Sequence, residues 1–257
     1  MTQGAGARSP RRCSRLPELR VIPVEGLPEI AEGADLGSLI ADRVALEDAD
    51  VVVISQKAIS KMEGRIVRLE DVEPSAAALE LAADHDPRQL EVILAESARI
   101  VRTRAPLVIA ETRHGFVCAS AGVDASNAPE PGTLVLLPVD PDASAAAIRR
   151  RLEELTQRVI GVVISDSFGR PFRTGIVDVA IGVSGIAPLA DLRGRLDATG
   201  HELRSTIVAV ADEIAAAAEL VMGKFAAVPA AVVRGLDVRG EGSGQELVMP
   251  PERDLFR

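Results

Sequence analysis

The chain has 257 residues, 47% of them apolar, enough to bury a substantial core as one large domain or two small ones. With five Phe and no Trp or Tyr there is little surface on which bases could stack, and a net charge of −9 repels polyanions, so both argue against nucleic acid as a partner. No uncharged apolar run reaches the roughly 18–20 residues of a membrane span, and Cys13 and Cys118 form no Cys-x-x-Cys unit, the usage of a reducing, cytoplasmic protein without a membrane partner.

Residues 1–18 (MTQGAGARSPRRCSRLPE) are polar and Gly/Pro-containing and read as a disordered basic tail ahead of one domain spanning 19–250. Order is expected to begin with a short strand in LRVIPVEGLPEI. Asp35 to Val44 reads as a short amphipathic helix, and DADVVVISQKAISKMEGRIV as a buried strand, a loop and a second element. Pro74-Ser75 caps an Ala-rich helix, and Asp86-Pro87 starts another over RQLEVILAESARIV. PLVIAETRHGFVCASAGVDASN reads as two strands joined at Arg113-His114-Gly115. GTLVLLPVDPDAS is a strand and loop before the helix AAAIRRRLEELTQ. GVVI forms a strand that ends in the loop SDSFGRPFR. The DVAIGVSGI stretch, a helix from about Ser205 to Met222, the strand AAVVRGLDV and the glycine-rich RGEGSGQ complete the chain. Several strands are joined by turns too short for crossovers, so the expected class is α+β, with mixed sheets and helices.

Two aspartates, Asp124 in GVDASN and Asp166 in SDSFGR, each follow an apolar strand and stand beside hydroxyls or amides. Mg²⁺ and Mn²⁺ take such hard oxygen ligands, one or two carboxylates completed by phosphate oxygens. Turn or cap roles are the competing reading of both. In SQKAISKMEGR, Lys57, Lys61 and Arg65 follow a buried strand, either as a solvated face or as phosphate partners. DPDAS has the look of a phosphatase D-x-D-x-T/S signature, against which stands a simpler role for Asp142 or Ser144 as a helix cap. RGEGSG has no helix-forming stretch behind it and is weak evidence for a dinucleotide site. His85, His114 and His201 have no zinc spacing and read as surface or turn residues. Gly223 is expected to cap the C-terminus of a core helix.

Seven ordered segments (VEGLPEI, DVVVISQKAISKMEGR, ETRHGFVCASAGVDASN, LLPVDPDAS, ISDSFGRPFRTGIVDVAIGVSGI, VADEIAAAAELVMGK and AAVVRGL) together resemble the coenzyme F420:L-glutamate ligases, or F420-0:γ-glutamyl ligases, over about residues 20 to 240. The resemblance implies a non-Walker ligase that uses GTP to add L-glutamate to F420-0 through an acyl phosphate and extends a short γ-linked tail. It implies an intertwined homodimer of two-subdomain protomers, two divalent ions (Mg²⁺ or Mn²⁺) and K⁺ as an accessory cation. Asp124, Asp166 and Ser167 would hold metal, with Asp124 and Asp166 counted as catalytic. Leu27, Pro28, Glu29, Ile30, Gln56, Lys61, Asn127, Met222, Gly223 and Lys224 would line the nucleotide site, Lys57 mattering less than Lys61. Arg170 and Arg173 are added from the sequence itself, as catalytic cations for the acyl phosphate or for the substrate's phosphodiester. Many actinobacterial relatives continue past Asp254-Leu255-Phe256 into a nitroreductase-like domain. This sequence stops at Arg257, so a single-domain form with short-tailed products and no bound FMN is expected. The alternatives are a nucleotide- or F420-binding module without turnover and a metal-dependent phosphatase.

Overall fold

A computed structural model describes residues 18–255. The expected basic tail, except its last residue Glu18, and Phe256 of the C-terminal motif lie outside the described residues. In chain order the elements are β1 (Arg20–Pro23), α1 (Leu36–Ala41), β2 (Val51–Ser55), α2 (Gln56–Met62), β3 (Ile66–Arg68), α3 (Ala76–Ala82), α4 (Pro87–Glu96), β4 (Ser97–Arg104), β5 (Leu107–Thr112), β6 (Val117–Ala119) and β7 (Thr133–Val135). After these come α5 (Pro141–Thr156), β8 (Gly161–Arg170), β9 (Arg173–Ser184), β10 (Ala190–Asp191), β11 (Ile207–Val208), α6 (Val210–Met222) and β12 (Ala230–Arg234). The class is α+β: a five-stranded mixed sheet ordered β1-β12-β2-β8-β9, a three-stranded sheet β4-β5-β6, and the pairs β3-β7 and β10-β11.

The central sheet is buried on both faces, and strand alternation sorts its side chains. Val52, Ile54, Val162, Ile164 and Val232 face a cluster built with α1 and α5 residues such as Leu36, Ile40, Ile148 and Leu152. Val51, Val53, Val163 and Val233 face Ile214, Ala215, Ala218 and Met222 of α6. A third apolar cluster joins α3 and α4 to β5 and β7 through Ala78, Leu90, Ile93, Val108 and Leu134. Capping follows local chemistry: Asp35, Ser75, Asp86 and Asp140 each accept a backbone N–H in the first turn of α1, α3, α4 and α5.

Four expectations change. The segment after β2 is the helix α2, not a loop. The helix from Asp86-Pro87 stops at Glu96, and SARIV becomes β4, because β-branched Ile100 pairs with Ala110 of β5, with Val101 in a bulge beside it, instead of continuing a helix. SDSFGR is no loop either: β8 runs unbroken to Arg170, since β9 supplies an antiparallel partner along its whole length. The last helix begins at Val210, five residues after the expected start, because Ile207 and Val208 pair with β10.

The DPDAS motif is structural. Asp140, rather than Asp142 or Ser144, caps α5, accepting from Ala143 N at 3.0 Å. The Asp142 carboxylate accepts from Val183 N at 2.7 Å, Gly244 N at 2.8 Å and Ser243 Oγ at 2.8 Å, tying the C-terminal segment to the sheet. Gly244 is required there: a Cβ on it would lie 2.8 Å from the Ile181 carbonyl oxygen. Close packing thus accounts for this glycine of RGEGSG without a nucleotide.

Candidate active site

Beside the C-terminal ends of β2 and of the buried half of β8 lies a cavity of about 880 Å³. Leu27, Pro28, Glu29 and Ile30 form one wall, in the loop after β1. Gln56, Lys57 and Lys61 come from α2, with the two lysines one helical turn apart and on one face. Asp124, Ser126 and Asn127 follow β6. Asp166 and Ser167 come from β8, Asp178 from β9, and Glu219, Met222, Gly223 and Lys224 from the end of α6 and its cap. Asp166 is therefore inside a strand rather than at its end, and it sits where that strand's burial gives way to partial exposure.

The wall carrying Asp124 is held in an unusual backbone. Ser120, Ala121 and Gly122 have φ of 54°, 51° and 74°, three left-handed residues in succession. That conformation costs a non-glycine residue roughly 1–2 kcal/mol, and such strain persists where the surroundings over-determine it. Gly122 also cannot carry a side chain, since a Cβ would lie 2.6 Å from Leu137 Cγ. Asp124 then forms an isolated bridge with Val135 of β7, which fixes its height on the wall.

Each lysine in the cavity is paired with an acid. Lys57 Nζ is 2.6 Å from Asp124 Oδ2 and donates to Ser126 Oγ at 2.6 Å. Ser126 donates to the same carboxylate from its backbone N at 2.7 Å and its hydroxyl at 2.8 Å. Lys61 pairs with Glu29, and Lys224 donates to Ser167 Oγ and approaches Asp178 Oδ1 at 3.3 Å. Gln56 is fully buried, and its amide nitrogen donates to Ser60 Oγ at 2.8 Å and Leu136 O at 2.7 Å, so only its carbonyl oxygen remains to serve a ligand.

The carboxylates titrate differently. Burial opposes the charge on Asp124, but the hydrogen bonds and charge of Lys57 and the bonds from Ser126 outweigh it and hold the carboxyl below its ordinary value. Burial pushes Asp166 up to about 7, with the nearby charges of Asp178 and Asp124 acting in the same direction against the Ser167 N–H and Lys57. Burial, then Asp166, push the Cys118 thiol on the cavity wall up to about 12, which leaves it an inert neutral group.

Five carboxylates face three lysines across the cavity. Among the described residues no cluster of three or more His, Cys, Asp or Glu is gathered closely enough to hold a metal alone. The donors present are nonetheless hard oxygens, and the unrelieved charge around Asp166 is what a divalent cation neutralises when phosphate oxygens and water complete its coordination. Asp124, Asp166 and the Ser167 hydroxyl fit an ion of that kind.

All the residues assigned to metal or nucleotide from the sequence line this one cavity. Arg170 and Arg173 do not. They face each other across the β8–β9 turn, where Arg170 donates to Thr174 O at 3.1 Å. The cavity also contains Lys57, ion-paired to Asp124, and Asp178 and Glu219, for which sequence reasoning had no role. Asp178 had one signal: a lone acid between Val177 and Val179 in an apolar alternating strand.

A family model described as F420-0:Gamma-glutamyl ligase matches residues 26–235. The chain is 48% identical over 250 residues to a coenzyme F420:L-glutamate ligase of Methanopyrus kandleri, covering 94% of this chain and 99% of that protein. It is 48% identical over 241 residues to the same-named protein of Archaeoglobus fulgidus, covering 93% and 96%, and 45% identical over 250 residues to that of Methanothermobacter thermautotrophicus, covering 93% and 99%. The match spans every element that builds the cavity, from the loop after β1 to β12, and on that ground the chain belongs to the F420-0:γ-glutamyl ligase family.

Proposed function

We propose that this protein joins L-glutamate to F420-0 at the expense of GTP and extends the product by a short γ-linked tail. The observation that carries the reading is convergence. Segments as far apart as residues 27–30, 56–61, 124–127, 166–167 and 222–224 meet in one cavity large enough for a nucleotide, in a chain of this family.

The γ-phosphoryl group of GTP passes to the carboxylate of F420-0, giving an acyl phosphate and GDP. The glutamate amine then attacks the acyl carbon, phosphate leaves, and the amine gives up its proton as the amide forms. Catalysis of the first step is mostly alignment and charge neutralisation. Asp124 and Asp166, with the Ser167 oxygen, would hold Mg²⁺ or Mn²⁺, which when bound would supply Lewis-acid neutralisation of the phosphate oxygens. Lys61 turns from Glu29 to a phosphate, and residues 27–30 and 222–224 enclose the nucleotide with Gln56 and Asn127. A cavity with more carboxylates than lysines supports the need for metal, because a bare polyphosphate would meet net negative charge. The same excess disfavours a lengthening polyglutamate and supports short tails.

The reading includes a homodimer of two-subdomain protomers, supported by exposed Leu220 and Phe225 beside the cavity. Among the described residues no helix is long and apolar enough to cross a membrane, in keeping with a cytoplasmic enzyme. Mass spectrometry of F420-0 incubated with the protein, glutamate, Mn²⁺ and GTP or ATP tests the activity. Expected are GDP and products one or a few glutamates heavier. No mass gain leaves a binding module, phosphate release without glutamate leaves a phosphatase, and dominant tails of five or more residues end the short-tail reading.

A further inference from the structure

Asp178 lies in the middle of β9, opposite Ser167 of β8, and is only 4% exposed. Its Oδ1 is 2.6 Å from Ser167 Oγ and its Oδ2 is 3.0 Å from Ser165 Oγ. The Lys224 ammonium also donates to Ser167 Oγ and lies 3.3 Å from Asp178 Oδ1. An ammonium can only donate and an ionised carboxylate can only accept. The Ser167 proton must therefore point at Asp178, and the serine lone pairs are turned toward a cation. Ser165 gives its proton to the second carboxylate oxygen by the same logic. A strand of Val and Ile would be easier to bury with an apolar residue at this position, since desolvating a carboxylate opposes folding. Two hydroxyls and an ammonium are what the buried charge organises.

We propose that Asp178 is a positioning residue of the active site, taking the hydroxyl protons of Ser165 and Ser167 so that the Ser167 oxygen presents lone pairs to a cation in the cavity. The proposal rests on the reading of Asp124, Asp166 and Ser167 as metal ligands. With Asp178 ionised, Ser167 is oriented to ligate before the metal arrives, and no hydroxyl rotation opposes binding. An asparagine there would keep the size and one acceptor oxygen but would aim an N–H at one of the two hydroxyls. That hydroxyl would then have to accept, and its own proton would turn away from position 178.

The test is Mn²⁺ binding to the full chain, followed by electron paramagnetic resonance with the metal alone. Asp178→Asn and Ser167→Ala are each expected to weaken Mn²⁺ binding roughly tenfold, with the double variant no weaker than the weaker single one, as expected of residues acting through one contact. Multiplying losses, or an Asp178→Asn affinity within twofold of the natural chain with only a lowered melting temperature, overturns the proposal in favour of a purely structural acid. Lys224→Met covers the case of a poorly folding Asp178 variant. Asp178 still holds the serine proton there, so Mn²⁺ affinity should persist or rise, and a loss as large as that of Ser167→Ala would assign the orientation to Lys224 and overturn the proposal. Natural chain that binds no Mn²⁺ brings down the metal reading and this proposal together; Mn²⁺ binding indifferent to Asp178 removes this proposal alone.

Discussion

Strands β2 and β8 lie side by side, parallel and in register from Val51 opposite Gly161 to Ser55 opposite Ser165. They are near-copies, VVVIS beside GVVIS, and both are buried. After their paired serines they part. Beyond Ser55 the chain turns at once into α2, and helical spacing sets two lysines on one face. Beyond Ser165 the strand continues, because β9 returns along it as far as Arg173. Strand geometry then sets Ser165, Ser167 and, across the ladder, Asp178 on one face, with Asp166 between the two serines. The same apolar strand thus delivers cations where it ends and acids where it does not. A helix after one strand and a hairpin after the other give the two sides of the cavity opposite charge.

The largest expected effect is on the acidic side. Asp124→Asn or Asp166→Asn keeps the volume and removes the charge proposed to anchor the ion. Loss of a preorganised electrostatic group typically costs about 3 kcal/mol or more, roughly a hundredfold in rate. Steady-state kinetics should show that drop in each single variant, and excess EDTA should stop the natural chain. Turnover that survives either treatment would mean the acidic side does not carry the metal.

The two lysines of α2 sharpen the comparison at smaller scale. Lys61 is paired with Glu29, whose side chain is 73% exposed, and exposed pairs of this kind are worth about 0–1 kcal/mol. Lys61 can leave it for a phosphate at little cost. Lys57 is held by Asp124 and Ser126 together, and Asp124 is less exposed than Glu29. Lys61→Ala is therefore expected to weaken GTP binding about tenfold, on the order of 1.5 kcal/mol for a charged hydrogen bond. Lys57→Ala should weaken it less and act instead through Asp124, seen as a change in Mn²⁺ affinity. Equal GTP dissociation constants for the two variants, measured by calorimetry, would contradict this division.

Legibility in the sequence runs along the same divide. Caps and local patterns were readable: Asp35, Ser75 and Asp86 announce their helices through chemistry contained within three residues. Asp124 and Asp166 were readable as a pair because each follows an apolar run beside hydroxyls or amides, and both line the cavity. Less readable was anything settled by a distant partner. SDSFGR has the composition of a turn, and only pairing with residues 173–180 makes it strand. Asp178 stood out only as a lone acid between two valines, and nothing nearby gave it a role, since its partners Ser165, Ser167 and Lys224 are 13, 11 and 46 residues away. Lys57 takes a lesser part than Lys61 in the family resemblance, and its pairing with Asp124, on another element, is not visible in the sequence.

The acidic side also sets a pH dependence. The Asp166 carboxyl is raised from 3.8 to about 7 in the metal-free protein. Its folded form therefore keeps a proton that the unfolded chain has lost, so its contribution to stability is present at low pH and is lost as pH rises from about 4 to about 7. Metal binding runs the opposite way, because the ion needs the ionised carboxylate. Mn²⁺ affinity should fall up to tenfold per pH unit below about 7, while the melting temperature of the metal-free protein rises over the same range. Asp166→Asn should flatten the melting-temperature trend. A metal-free melting temperature that climbs from pH 5 to 7 would assign the raised carboxyl elsewhere.

The smallest effect is expected where the β8–β9 hairpin leaves the cavity. Arg170 is four residues beyond Asp166, and at about 3.3 Å per strand residue its backbone is roughly 13 Å farther along. An arginine side chain spans about half that, and the guanidinium of Arg170 is already engaged with the Thr174 carbonyl. Neither Arg170 nor Arg173 lines the cavity, which disfavours both roles alike, because the phosphodiester adjoins the reacting carboxylate and would lie as near Asp166 as the acyl phosphate. A part of a long deazaflavin substrate remote from that carboxylate is within the geometry. Contacts to a non-reacting end bind ground state and transition state alike, so they raise KM without lowering kcat when removed. Arg170→Ala and Arg173→Ala are accordingly expected to raise the KM for F420-0 a few fold with kcat and the KM for GTP unchanged. A hundredfold fall in kcat for either variant would place that arginine at the reacting phosphate and require the hairpin to bend inward when substrate binds.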